Sequence, residues 1–423
     1  MTDTGNEPTG PTFVVFQEDA ETHVRRRGDD EPVFSGAPGA TIQHATDAGE
    51  ATGSGTAIAV APGTYELNQS VTLASATWLA GSGVSTTLRA AGGLNEDVLT
   101  IPVGSEHVRV SDLRIDGNRA ENERGNCLVV AGDTWRTVVE HLVVRAGAGD
   151  GVRFESGPDG AYSYEPTLVD VDVARCAGDG YVFGYTGDLF GVNVYAESCE
   201  GYGFTMADAG GTLVHPHAYD TRGEAGIRIL ESAKDAAVLG AHSERNMRHG
   251  MLIKGERITV HNAFVANNSR AVAGSYSGIV LDSARHSSVT DSTVVNDTSH
   301  DLTQQYGLVE TADSSDNRIT ANLFQNNVAA AVDCRSPSTG SLYRDNRGYR
   351  TENGGEATVR DGATIQHSLA ERPHQYWVES TEPGIYAHVI DVNRTQLVVE
   401  VLDIQRGQPS DVEVDVVWGA TVN

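Results

Sequence analysis

Lysine is almost missing from this sequence. Only Lys234 and Lys254 stand among 30 basic residues, so the remainder are arginine. Cysteine is scarce too, at 4 residues in 423, too few for a disulfide scaffold or a clustered metal site. Aromatic residues make up 6% of the chain, and no uncharged apolar run reaches the roughly 18 residues of a membrane span. Positive charge is outweighed by 58 acidic residues, for a formal net charge of -28. That balance excludes nucleic acid and anionic membrane as partners, because either needs a basic face. No phosphate-cradling glycine loop or nucleophile elbow is found, and no cofactor is expected.

What is abundant is acid and glycine. Carboxylates hold water and cations at molar salt, where screening over about 3 Å removes their mutual repulsion. Heavy Asp and Glu use with little Lys therefore points to a protein of an extreme halophile. With 39% apolar residues and alternating patterns along most of its length, the chain is not of disordered composition. Residues 1–12 are polar and contain no apolar segment of the secretory type. Arg25-Arg26-Arg27 is followed by Gly28-Asp29-Asp30-Glu31 rather than by an apolar stretch, so no twin-arginine export signal is expected.

The 47 glycines carry the organisation. Gly151, Gly180, Gly203, Gly226, Gly250, Gly278 and Gly307 each open a short alternating segment, at spacings of 29, 23, 23, 24, 28 and 29. A core period near 23 is too short for helix-pair repeats and suits one coil of a parallel β-helix. We expect each glycine to supply a turn with φ > 0. Two apolar ladders follow: Val152, Tyr181, Phe204, Ile227, Met251, Ile279, Leu308, and Phe154, Phe183, Met206, Ile229, Ile253, Leu281. Period-two alternation puts both on one face, inside the coil. Tyr181, Phe183 and Phe204 are thus core rather than a ligand platform.

A second strand precedes each glycine, with Leu142 and Val144, Val171 and Val173, and Val192 and Val194 expected inward. Cys176, Cys199 and Asn246 each lie four residues before their glycine and form a stack of small buried turn residues. Asn267-Asn268, Asn296-Asp297 and Asn326-Asn327 recur at matching places, where stacked amides bond along the axis. Ahead of the repeat, Ala40–Ala48 has helical spacing with Gly49 as a stop, and would cap the open end of the coil. Thr56–Val60 is the first strand, followed by the Pro62-Gly63 turn.

Gly39-Ala40-Thr41-Ile42-Gln43, Ala57-Ile58-Ala59-Val60-Ala61-Pro62-Gly63-Thr64-Tyr65, Trp78-Leu79-Ala80-Gly81-Ser82-Gly83 and Leu113-Arg114-Ile115-Asp116-Gly117-Asn118 resemble the pectate-lyase-like right-handed β-helix superfamily. They are most similar to tailspike and spike (tail-fibre) proteins of tailed viruses. The resemblance covers roughly residues 33–350. It implies an all-β chain: an amino-terminal β-ribbon and virion-attachment segment in 1–36, a right-handed parallel β-helix in 37–350, and a carboxy-terminal β-sandwich for trimerisation or receptor binding in 351–423. In that sandwich Asp361-Gly362 is expected to turn a hairpin. Such proteins are usually homotrimers, since about 70 residues make a marginal core alone. The implied partners are two further copies of the chain, other virion proteins through the amino-terminal segment, and host-surface glycan, without nucleic acid or membrane insertion. The implied location is the virion surface, reached from the host cytoplasm without a signal peptide.

Candidate chemistry lies on an outward face. Glu197, Asp220 and Glu244 each stand six residues before their glycine, in three consecutive coils. Stacked in register they would be roughly 5 Å apart, with the outer two roughly 10 Å apart, which brackets the spacings of retaining and inverting glycosidases. Two positions earlier stand Asp172, Tyr195 and His242, as glycan-binding candidates. Tyr162, Tyr164, Tyr185 and Tyr202 are candidates for sugar-stacking surface. The same triple of acids is also what a solvated acidic face supplies by chance, and neither the paired aspartates of polygalacturonases nor a lyase arginine is present. His215-Pro216-His217 can begin a metal site, but no third ligand has metal-site spacing, and no metal is expected. Asp116-Gly117-Asn118 is read as a turn. Asn68, Asn267, Asn296 and Asn393 lie in N-x-Ser/Thr sequons. The expected function is a virion spike that recognises host glycan and, as a subordinate reading, cleaves it. The alternatives are a stand-alone polysaccharide lyase, hydrolase or epimerase, and a purely structural capsid or tail decoration.

Overall fold

The computed structural model describes residues 12–51, 55–301, 303–335, 340–409 and 412–422. An antiparallel ribbon, Phe13–Glu18 with Glu21–Arg26, opens it. Asp19 and Ala20, both at positive φ, form its two-residue turn, the twist that a tight hairpin requires. Arg25 and Arg26 lie over the rings of Phe16 and Phe13. Phe13–Val15 also pairs in parallel with Ile58–Val60, so the ribbon continues directly into the first coil. The helix spans Pro38–Glu50 and buries Thr41, Ile42, Ala45 and Thr46 over the end of the core. It runs through Gly49 rather than stopping there. A Cβ at Gly49 would sit 1.7 Å from Thr56 Oγ1, so this glycine lets the cap approach the first strand.

About eleven turns of parallel β-solenoid follow. Both ladders read from the sequence pair residue for residue. Val152 aligns with Tyr181, then Phe204, Ile227, Met251, Ile279 and Leu308. Phe154 aligns with Phe183, Met206, Ile229, Ile253 and Leu281. All of these side chains are buried. The Tyr181 hydroxyl, inside the core, donates to Val171 O at 2.6 Å, and burial pushes its pKa well up.

The ladder glycines do not supply the expected φ > 0 turns. None of the seven ladder glycines has a left-handed φ. They are glycines because a side chain would point inward against the neighbouring coil: a Cβ at Gly180 would lie 2.7 Å from Gly203 O, and one at Gly278 2.8 Å from Gly307 O. A second correction concerns Val192. It pairs with Val169 outside the core, and the residues aligned with Val171 and Val173 are Val194 and Ala196. The turn stack does form. Cys127, Cys176 and Cys199 are buried thiols, and Thr221 Oγ1 donates to Asn246 Oδ1 at 2.7 Å. Side-chain amides then bond in series, Asn246 to Asn268 at 3.0 Å, Asn268 to Gln304 at 3.2 Å and Gln304 to Asn327 at 2.7 Å. Asn296 is 1% and Asn267 8% exposed, which removes both as glycosylation sites in the folded chain. Asp116 Oδ1 accepts from Asn118 N–H at 2.9 Å, making the expected turn.

After residue 350 the strands form two separate sheets around their own core, a carboxy-terminal β-sandwich. Glu352–Val359 and Thr364–Gln366 lie in different sheets. Asp361-Gly362 therefore carries the chain from one sheet to the other and is not a hairpin turn. Among the described residues no helix is long and apolar enough to cross a membrane.

Candidate functional site

One corner of each coil is a single left-handed residue between two strands. Asp170, Asn193 and His215 occupy this corner at φ 51°, 51° and 52°, and Gly240 at 62°. Asn and Asp tolerate this conformation better than most residues, and Asn193 Nδ2 donates across the coils to Asp170 Oδ1 at 2.9 Å. Beyond the corner the strands run parallel, and their outward side chains form two columns. In the first, Asp172 aligns with Tyr195, then His217, His242 and Phe264. In the second, Glu197 aligns with Tyr219 and Glu244. Between them a groove of about 550 Å³ is lined by Asp170, Asp172, Tyr195, Ala196, Glu197, His217 and Tyr219.

Asp172, Tyr195 and His242 thus share a column, with His217 inserted between the last two. The triple of acids does not assemble as expected. Tyr219, not Asp220, stands between Glu197 and Glu244, and Asp220 lies one residue on, at a left-handed corner (φ 53°), with Arg270 Nη1 on its carboxylate at 2.5 Å. The physical reason is a one-residue insertion. Gly223 N–H bonds to Gly201 O, an offset of 22, yet Phe204 aligns with Ile227, an offset of 23. Glu224-Ala225 fills the place that Tyr202 fills alone in the preceding coil. Counting back from the inner glycine therefore misses the outer column by one.

The groove is acidic but partly neutralised. Arg145 Nη2 meets Asp172 Oδ2 at 2.5 Å, and its Nη1 donates to Asp172 O at 2.9 Å. Among the described residues Glu197 forms no ion pair. Rings follow one another down the first column: Tyr195 to His217 at 5.7 Å, His217 to His242 at 5.4 Å, His242 to Phe264 at 5.5 Å. His242 Nδ1 lies 3.0 Å and His217 Nε2 3.5 Å from Glu244 Oε1. Burial pushes the His217 pKa down, against the opposing pull of Glu244, and so favours the neutral ring. The nitrogen and oxygen donors of His217, His242 and Glu244 all lie within 4.8 Å of one another. His217 and Tyr219 were missed as site residues. The signal was present in His215-Pro216-His217, but the partners of His217 come from the next coil and not from its own segment. Tyr162, Tyr164 and Tyr185 form a second group with Trp135, which stacks on Tyr164 at 4.6 Å, and Tyr202 lies beneath the Arg228 guanidinium at 3.7 Å.

Residues 186–346 match the family described as periplasmic copper-binding protein (NosD). No curated protein matches in sequence. Among solved structures, the A-module of mannuronan C-5 epimerase AlgE4 from Azotobacter vinelandii is similar at 20% identity and TM-score 0.64, over 74% of this chain and 91% of that one. The AlgE6 A-module from the same organism gives 17% and 0.60, over 74% and 95%. The enzymatically active domain of bacteriophage CBA120 tailspike protein 2 gives 13% and 0.54, over 98% of this chain and 76% of that one. At these identities the likeness defines the fold, an all-β right-handed parallel β-helix followed by a carboxy-terminal β-sandwich.

Proposed function

We propose that this chain is a virion spike or tail-fibre protein that recognises host-surface glycan in the groove beside the Asp170 corner. The observation that carries the reading is the groove's lining. The exposed ring of Tyr195, with Tyr219 beside it, offers faces for sugar CH groups, and Asp170, Asp172 and Glu197 offer acceptors for hydroxyls. Such a lining suits neutral sugars better than polyuronates, because Arg145 is already engaged by Asp172. The near-complete coverage by a tailspike domain supports the virion part of the reading. The acidic composition supports work at molar salt, as for a virus of a halophilic archaeon. In this reading the chain is a homotrimer, and the ribbon end faces other virion proteins.

Cleavage of the bound glycan is a second reading. It is favoured by Glu197, exposed in the groove without an ion-pair partner among the described residues. The test is labelled host-surface polysaccharide incubated with the protein at molar salt, followed by binding and by chain length. Binding that Tyr195→Ala weakens supports recognition. Shortening that Glu197→Gln abolishes adds cleavage. Chains neither bound nor shortened leave a structural decoration, and absence of the protein from purified virions leaves a stand-alone enzyme. A species other than three chains at molar salt refutes the trimer.

A further inference from the structure

His217 sits on the strand His217–Tyr219, and His242 and Glu244 on the next strand, His242–Glu244. Period-two alternation sends His242 and Glu244 to the same outward face. Parallel pairing then sets His217 beside His242 and Tyr219 beside Glu244, one strand spacing away. Three donors from two short strands meet in this way, and two of them cluster at one carboxylate oxygen. His242 Nδ1 is 3.0 Å and His217 Nε2 3.5 Å from Glu244 Oε1. Around a tetrahedral ion with bonds of about 2.0–2.1 Å, donors stand about 3.3 Å apart. The two nitrogen–oxygen separations are therefore close to those of a first coordination sphere, and all three donors lie within 4.8 Å of one another.

At His217 Nε2 the contact with Glu244 Oε1 is an ion pair at 3.5 Å and not a hydrogen bond. His217 Nε2 is buried and has no hydrogen-bond partner among the described residues. A buried nitrogen left this way carries an uncompensated desolvation cost unless something fills its lone pair. The rings of Tyr195 and Phe264 flank the histidine pair on either side and hold it in line.

We propose that His217, His242 and Glu244 form a binding site for a divalent transition-metal ion of the zinc and copper class. Two imidazoles and a carboxylate suit this borderline class better than calcium or magnesium, which take six or more oxygens or several waters. Three protein ligands leave a coordination position free. His217 also lines the groove. The site does not depend on the glycan reading.

The test uses the full chain, stripped with a chelator, at molar NaCl. Zn²⁺ is titrated in by calorimetry, and Co²⁺ serves as a visible-absorption probe. The expected result is one ion per chain, unaffected by excess Ca²⁺, with a Co²⁺ spectrum of a four-coordinate nitrogen and oxygen site. His242→Ala and Glu244→Gln each weaken binding at least about 10-fold, whereas His215→Ala binds as the parent does. His217→Ala does the same as the first two if it folds. His242 and Glu244 point outward from the core, so their variants carry the result in any case, with far-UV circular dichroism as the folding check. Many weak ions per chain, displacement by Ca²⁺, or unchanged affinity in either outward variant overturns the site and leaves a histidine–glutamate ion pair on an acidic surface.

Discussion

Gly180→Ala tests why this chain is rich in glycine. The added Cβ would lie 2.7 Å from the carbonyl oxygen of Gly203 in the next coil and 2.8 Å from Ala196 Cβ inside the same one. Neither obstacle can rotate away, since one is backbone and the other a Cβ. Overpacking of this kind costs about 1–3 kcal/mol, while the stiffer unfolded chain returns about 0.4–1 kcal/mol. The net loss is about 1–2 kcal/mol, which lowers the unfolding midpoint by about 1–3 °C in a cooperative unit of about 300 residues. Thermal unfolding at molar salt, followed by circular dichroism, reads it. Ala196→Gly removes one of the two obstacles, so in the double variant the Gly180→Ala penalty shrinks by about 0.5 kcal/mol or more, a coupling a double-mutant cycle resolves. Gly355→Ala, whose new Cβ would meet nothing nearer than Trp418 Nε1 at 3.8 Å, holds or raises the midpoint. A Gly180→Ala midpoint equal to the parent's refutes the crowding argument. So does a penalty indifferent to Ala196→Gly, the signature of strain confined to the glycine's own backbone.

Three further outcomes follow from the same contacts. Tyr195 is 43% exposed, so covering the remainder of a side chain of roughly 200 Å² is worth about 2 kcal/mol, and Tyr195→Ala weakens glycan binding by about 30-fold; unchanged affinity moves the binding face elsewhere. His249 Nδ1 accepts from Ser277 N–H at 3.0 Å and burial lowers its pKa, so the folded state holds the ring neutral. Its folded pKa lies below the unfolded one, so below about pH 6.5 the unfolded chain binds more protons and stability falls with falling pH; His249→Gln flattens that fall, and an unchanged slope refutes the assignment. Glu310 is fully buried, accepting from Asn317 Nδ2 at 2.8 Å and Tyr343 Oη at 2.5 Å. Glu310→Ala strips partners from those buried donors and costs about 1–3 kcal/mol for each, Glu310→Gln costs less, and equal midpoints for the two variants sink the argument.

The core was legible because the information in it is local. An apolar residue two positions after another, repeated at each glycine, needs only the period-two rule to be placed inside, and the ladders from Val152 and Phe154 pair as read. The role of the glycines was not legible, because crowding against Gly203 O or Gly307 O comes from a coil 23 or 29 residues away, whereas a turn conformation is the reading local sequence offers. Glu310 shows the same limit. It occupies the ladder position after Leu281, where the apolar pattern breaks. Its hydrogen-bond partners, Asn317, Ser341 and Tyr343, arrive with later strands.

The outward columns obey a different constraint from the inward ladders, and this explains the candidate site. An inserted residue inside the coil would flip a ladder to the wrong face, so the chain places its extra residue between the corner and the core. In the coil of Gly226 that residue falls at Glu224-Ala225, and Phe204 still meets Ile227. The core is unchanged, while the outer columns are recounted by one. Tyr219 then takes the place that Asp220 holds by simple counting, and Asp220 is turned to Arg270. Stability and site chemistry are thus written in separate registers of one repeat. A slip that the core does not register brings His217 beside His242, one strand from Glu244's own strand, although the two histidines are 25 positions apart in the sequence.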